Sequence, residues 1–168
     1  MKSMEDTKTQ DRTLVIGIGN EFRNDDGVGL MIACRLKGLD MPGVNVLSLA
    51  GEGGDLLRVL KNRDAVFVVD AVLSGSPVGT IHRVDLKAQK VPAEFSNCSS
   101  HALGVAESVE LARVLGTLPP RCIFIGIEVG NVGMGTKVSK RVAGAVEEAV
   151  AMICWEIQND VEKLACVA

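Results

Sequence analysis

Two runs of branched aliphatic residues, Thr13 to Ile18 (TLVIGI) and Ala65 to Val69 (AVFVV), carry almost no polar side chain on either alternating face. A strand half open to water alternates apolar and polar residues, whereas one covered on both faces is apolar throughout. Both runs are therefore expected to be strands in the middle of a sheet packed on two sides. Between them Val28, Met31, Ile32 and Leu36 recur at helical spacing up to Gly38. Val44 to Ala50 offers a further strand and Asp55 to Lys61 a short helix. The resulting βαβαβ order has connections long enough for right-handed crossovers, which makes these strands parallel neighbours.

The next connection, Ala71 to Val78 (AVLSGSPV), is too short for a crossover helix, so Gly79 to Asp85 is expected to return antiparallel. A helix from about His101 to Leu115 and a strand from Cys122 to Val129 follow. The last helix carries one apolar stripe, Val142, Val146, Ala149, Val150, Ile153 and Ile157, with Ser139 as its expected N-cap and a stopping point at Gln158 to Asp160. The sequence thus predicts an α/β fold with a mixed, five-stranded sheet whose fourth strand is antiparallel.

At 168 residues the chain has the length of one domain, expected over residues 11–168, with the polar stretch Met1 to Gln10 as a loose tail. Aromatic residues are only 3% against 47% hydrophobic, so the core is expected to consist of Val, Ile, Leu, Ala and Met rather than of rings. A net charge of −3 without a basic stripe argues against nucleic acid as a partner. The longest apolar run is broken by Gly17, and the polar N-terminus has no apolar stretch behind its charges, so neither a membrane span nor secretion is expected. Five cysteines, an odd number without a CxxC pair, point to a reduced, cytoplasmic setting. Each is read as a small core hydrophobe except Cys98, which falls in a polar loop.

In open α/β sheets, ligands bind beyond the carboxyl ends of the strands where chain order reverses. The first strand leads into the loop Gly19 to Gly29, the third is expected to end on Asp70, and the helix after His101 must start at that same end to feed a parallel fifth strand. Connectivity therefore gathers Glu21, Asp70 and His101 on one rim, two carboxylates and an imidazole suited to a divalent ion such as Ni²⁺ or Zn²⁺. Each has an ordinary alternative: Asp70 as a cap on loop amides, His101 as an exposed helix-start residue, Glu21 as a surface acid. A dinucleotide site does not fit, because Phe22 stands at the third glycine position and the second strand ends in Ser48-Leu49-Ala50 without the ribose-binding acid. There is no GxSxG and no HExxH, and His82 sits within the fourth strand. Cys98, three residues before His101, is a further possible thiolate partner without an orienting group.

The stretch GIGNEFRNDDGVG, Gly17 to Gly29, resembles the signature of the hydrogenase maturation endopeptidases of the HyaD/HybD type. The resemblance continues through VVDAV at Val68 to Val72, SSHALG at Ser99 to Gly104 and GIEVGNVGMGTKVS at Gly126 to Ser139, and so covers about Thr13 to Ile157. It implies a three-layer α/β/α sandwich and assigns nickel binding to Glu21, Asp70 and His101. It also implies a function: removal of a short C-terminal extension from the precursor of a [NiFe]-hydrogenase large subunit once nickel is in place, the nickel being supplied by the substrate. One departure stands out. Many members carry an aspartate after the second strand where this chain has Ser48, and Glu52 is the carboxylate available from the next turn as a catalytic candidate. For cleavage, a metal-polarised carbonyl attacked by water and a carboxylate acting as base both remain open. Two other functions stay beside the protease: a non-catalytic nickel-checking or precursor-binding protein, and a self-contained metallohydrolase holding its own Ni²⁺ or Zn²⁺.

Overall fold

The protein is described here by a computed structural model covering residues 12–50, 53–98 and 104–165. The expected tail at 1–10, Glu52 and His101 lie outside the described residues. Five strands, β1 (Thr13–Ile18), β2 (Val44–Leu49), β3 (Ala65–Val72), β4 (Ile81–Asp85) and β5 (Arg121–Glu128), form one sheet in the order β2-β1-β3-β5-β4. All neighbours are parallel except β4, which runs antiparallel to β5 at one edge. The helices are α1 (Val28–Lys37), α2 (Gly53–Leu60), α3 (Val105–Val114) and α4 (Lys140–Ala165), with 3-10 turns at Asn24–Gly27 and Ala93–Cys98.

The sheet is covered on both sides, as its apolar strands require. Val15, Phe67, Val69 and Ala71 pack under α1 and α4, whereas Leu14, Ile16, Val66 and Val68 pack under α2 and α3. Alternate residues of β1 and β3 therefore feed opposite cores, giving the three-layer α/β/α sandwich. Each Val, Leu, Ile or Phe side chain so removed from water contributes about 1.5–3 kcal/mol. Rings enter the core after all: Phe67 and Phe124 are among the largest fully or almost fully buried side chains. Met31, Met41 and Met152 pack only at the margin of one core. The two rings lie on the adjacent strands β3 and β5 and face opposite cores.

Several boundaries shift from the sequence expectation. β3 runs two residues past Asp70, because β5 continues alongside and pairs Ala71 with Ile127 and Val72 with Glu128. α3 begins at Val105, since Gly104 has extended backbone and its N–H donates to Glu107 Oε2 at 3.0 Å, closing the first turn there. α4 continues through Gln158 to Asp160, a segment whose polar residues do not stop it. Ser139 does stand just before α4, yet among the described residues its hydroxyl caps no N–H of that helix; its carbonyl instead accepts the Ala143 N–H at 2.8 Å. Among the thiols, Cys122 is buried, Cys154 is half-buried and Cys34 is exposed. Cys34 and Arg35 lie on α1 opposite the Val28, Ile32 and Leu36 stripe, which places this cysteine outside the core. Among the described residues, no helix is long and apolar enough to cross a membrane.

Candidate functional site

The loop between β1 and α1 is pressed onto the sheet by a glycine. A Cβ on Gly29 would lie 2.1 Å from the Ile18 carbonyl oxygen and 2.8 Å from that of Val69. Only glycine lets the start of α1 sit directly against the ends of both strands. The loop itself turns tightly: Asn20 Oδ1 accepts the Phe22 N–H at 2.9 Å, and the Asn20 N–H donates to the Asp26 carbonyl at 3.2 Å. Glu21 projects from this turn and is exposed.

Asn24 and Asp25 tie the same loop to the segment after β5. Asp25 is buried, and its carboxylate accepts N–H groups from Gly130 at 3.2 Å, Asn131 at 3.0 Å and Ser139 at 2.6 Å. Asn24, in the left-handed region at φ 47°, donates its amide to the carbonyls of Gly133 and Met134 and accepts the Lys137 N–H at 3.1 Å. The backbone adds two bonds: Gly135 N–H to the Phe22 carbonyl at 2.9 Å, and Asn24 N–H to the Gly135 carbonyl at 2.8 Å. Gly135 suits this place, since its φ of 148° is one that side chains rarely adopt, and a Cβ there would also meet the Asn24 amide oxygen at 2.3 Å. The motifs GIGNEFRNDDGVG and GNVGMGTKVS are thus two halves of one clamp.

Asp70 lies on β3 level with Gly126 of β5, at the carboxyl end of the sheet where the Glu21 loop also sits. Its Oδ1 accepts the Ala71 N–H at 2.8 Å, the single hydrogen bond recorded for it among the described residues. Burial pushes its pKa well above the usual carboxylate range; the Ala71 bond pulls it down, and the nearby Asp26 charge pushes it further up. Asp25 behaves oppositely. Burial raises it, but the amides of Ser139, Asn131 and Gly130 outweigh that and hold it below the usual value. Glu128, buried at the end of β5, follows Asp25: its carboxylate takes the Ser74 hydroxyl at 2.7 Å, the amides of Ser74 and Gly75 at 2.9 Å each, and His82 Nε2 at 3.1 Å. Desolvation raises its pKa, and these bonds together bring it below the usual range. Burial drives the Cys122 thiol up to about 12, which makes it inert as a nucleophile.

Two hollows open on this rim. Glu21 lines one with Phe22, Leu30, Ser48, Leu49 and Ala50; Asp70 lines the other with Phe95, Phe124 and the start of α3, Gly104 to Glu107. Ser48 is exposed near the end of β2, and its hydroxyl takes a hydrogen bond from Lys37 Nζ at 3.3 Å. Among the described residues no three histidine, cysteine or carboxylate side chains stand together as a metal group. His101, the third member of the expected set, lies outside them, three residues before Gly104. His82 is engaged by Glu128 and packs at a tilt of 50° against Phe95, ring centroids 4.7 Å apart, behind a residue that lines the Asp70 hollow. Sequence reasoning missed Asn24, Asp25 and Glu128. Glu128 carried a readable signal, since a single acid closing an otherwise apolar strand is the pattern that had singled out Asp70.

The sequence profile of the hydrogenase maturation proteases matches residues 32–156. The chain belongs to this family. Among curated hydrogenase maturation proteases, it is 29% identical over 150 residues to the hydrogenase 2 maturation protease of Escherichia coli K12, covering 84% of this chain and 90% of that one. It is 31% identical over 153 residues to the hydrogenase expression/formation protein HupD of Rhodobacter capsulatus, covering 88% and 72%. The solved structure of the hydrogenase maturating endopeptidase HybD from E. coli superposes with a TM-score of 0.75 at 26% identity, over 89% of this chain and 93% of that one. The hydrogenase maturation proteases are peptide hydrolases, so the rim just described belongs to an enzyme fold.

Proposed function

We propose that the chain is the endopeptidase that removes the C-terminal extension from a nickel-loaded precursor of a [NiFe]-hydrogenase large subunit, and that it reads the nickel through Glu21, Asp70 and His101. The observation that carries this reading is the contrast among three acids. Asp25 and Glu128 are surrounded by donors that satisfy their negative charge. Asp70 has one donor among the described residues, lies in a desolvated wall and feels a second negative charge from Asp26. A carboxylate so placed is uncomfortable until a cation arrives, because a cation favours the ionised form that burial opposes. Glu21, at the same sheet end and exposed, is free to meet a metal carried in by another protein. The substrate's nickel, once held on the rim, fixes the position of the neighbouring peptide bond, and orientation of this kind supplies a large part of catalysis.

Cleavage then follows from water attacking a metal-polarised carbonyl or from a carboxylate base, for which Glu52 is the candidate. The test is incubation with purified, nickel-loaded precursor followed by mass spectrometry. A large subunit shortened by its C-terminal extension is the expected result. Stable complex formation without shortening would replace the protease by the precursor-binding reading, to which Ser48 in place of the family's aspartate lends its weight.

A further inference from the structure

Phe22 and Met134 are large apolar side chains left 60% and 87% exposed. They belong to the two loops of the clamp: the Arg23–Gly135 bridge is parallel, so Phe22 and Met134 occupy the adjoining positions on its two strands. Bridged strands lie about 4.8 Å apart, which makes the two residues close neighbours. The clamp that holds them is costly to build, with Asn24 in a left-handed conformation, Asp25 buried, and a glycine at 135 in a conformation that side chains rarely adopt. Arg23 is spent inside it, donating to the Val132 carbonyl at 3.2 Å and lying 3.6 Å from Asp26. Neither exposed side chain belongs to the two cores beneath.

We infer that Phe22 and Met134 form an apolar lip that grips an uncharged, apolar stretch of the precursor polypeptide next to its metal. The inference rests on the reading of the substrate proposed above and adds what recognises its polypeptide. Three features select that occupant. Phe22 is the residue after Glu21 and lines the same crevice, so whatever touches the lip also passes the proposed metal ligand. The crevice continues the apolar surface through Leu30, Leu49 and Ala50 and holds about 330 Å³, within the size range of specific ligand sites. Arg23, the charged residue next to Phe22 in the chain, is engaged within the clamp, so what the two lip side chains themselves present is apolar. Rigid, exposed aromatic and methionine side chains are the residue types that anchor protein interfaces.

The test compares binding of the full chain to nickel-loaded and nickel-free precursor. For Phe22→Ala combined with Met134→Ala, affinity is expected to fall about tenfold or more for both forms, by the same factor, with the melting temperature unchanged. Phe22→Leu with Met134→Leu recovers most of that loss, because leucine keeps the apolar area. Glu21→Gln, by contrast, weakens only the nickel-loaded form. Unchanged affinity of the double alanine variant for loaded precursor overturns the lip, as does a loss confined to the loaded form. A Glu21→Gln protein that binds loaded precursor like the wild type overturns the nickel reading and leaves the lip to be judged by its own variants. A wild-type chain that binds neither form overturns both.

Discussion

A desolvated acid is read by what surrounds it, and the three at this rim, Asp25 and Glu128 buried and Asp70 half-buried, divide by their donors. Asp25 accepts three backbone N–H groups, so Asp25→Ala leaves three buried donors without a partner and is expected to cost about 3 kcal/mol or more. Urea unfolding at neutral pH measures it. Asp25 and Glu128 release protons more readily folded than unfolded, so their contribution is present above the ordinary carboxylate range and is lost as pH falls through their lowered values. Asp70 has the opposite sign. Its folded pKa is raised, so ionisation penalises the fold increasingly as pH rises from the ordinary value toward the raised one. Asp70→Asn keeps the oxygen that accepts the Ala71 N–H while removing the charge. We expect its melting temperature to exceed that of the wild type at about pH 7 and to match it near pH 4, where both side chains are neutral. Processing of precursor by the same variant should fall at least about tenfold, since changing partners one shell further from a metal already costs that much. A variant that is no more stable at neutral pH would contradict the desolvated carboxylate. Asp70 was legible because an acid stands out after five apolar residues of a two-faced strand. Asp25 was not, since Asp25-Asp26 beside Asn24 reads as a polar loop, and its three amide partners come from more than 100 residues away.

At the scale of elements, the same substitution should act with opposite sign at two glycines. Gly29→Ala drives a methyl group into the Ile18 and Val69 carbonyls and must lift α1 off β1 and β3, at a cost of about 3 kcal/mol or more. Gly144 lies on the exposed face of α4 with open space around it, so Gly144→Ala should gain about 0.5–1 kcal/mol through helix propensity. Denaturant midpoints of the two variants on either side of the wild type are the expected outcome. The strands were readable because continuous apolar runs such as AVFVV suit only a two-faced position. The antiparallel β4 followed from a connection too short for a helix. What escaped were ends decided by particular partners rather than by periodicity. β3 continues past Asp70 because β5 is there to pair with it, and α3 opens at Val105 because Glu107 closes on Gly104. The clamp between the β1 loop and the segment after β5 left no periodic trace, as its bonds run mainly from side chains to backbone.

For the whole molecule, the open question under the proposed function is which protein owns the metal. Under that reading Glu21 and Asp70 would supply oxygen ligands from the rim of the sandwich, and with the imidazole of His101 they would make three donors, fewer than a closed four-coordinate site requires. Nickel in a precursor is expected among thiolates, which hold it far more tightly than such a set. The two sites are then complementary: the protease completes the coordination of an ion it does not keep, and loses it when the product leaves. Protease treated with chelator and then freed of it should therefore cleave nickel-loaded precursor at the untreated rate, whereas nickel-free precursor stays intact. His101→Ala should leave both uncut. The two sides of the experiment fail differently. If stripped protease is silent on loaded precursor until Ni²⁺ or Zn²⁺ is restored to it, the ion is resident and the chain is a self-contained metallohydrolase. If nickel-free precursor is cut as fast as the loaded form, the rim carboxylates do not read a metal, and the desolvation of Asp70 serves the peptide instead.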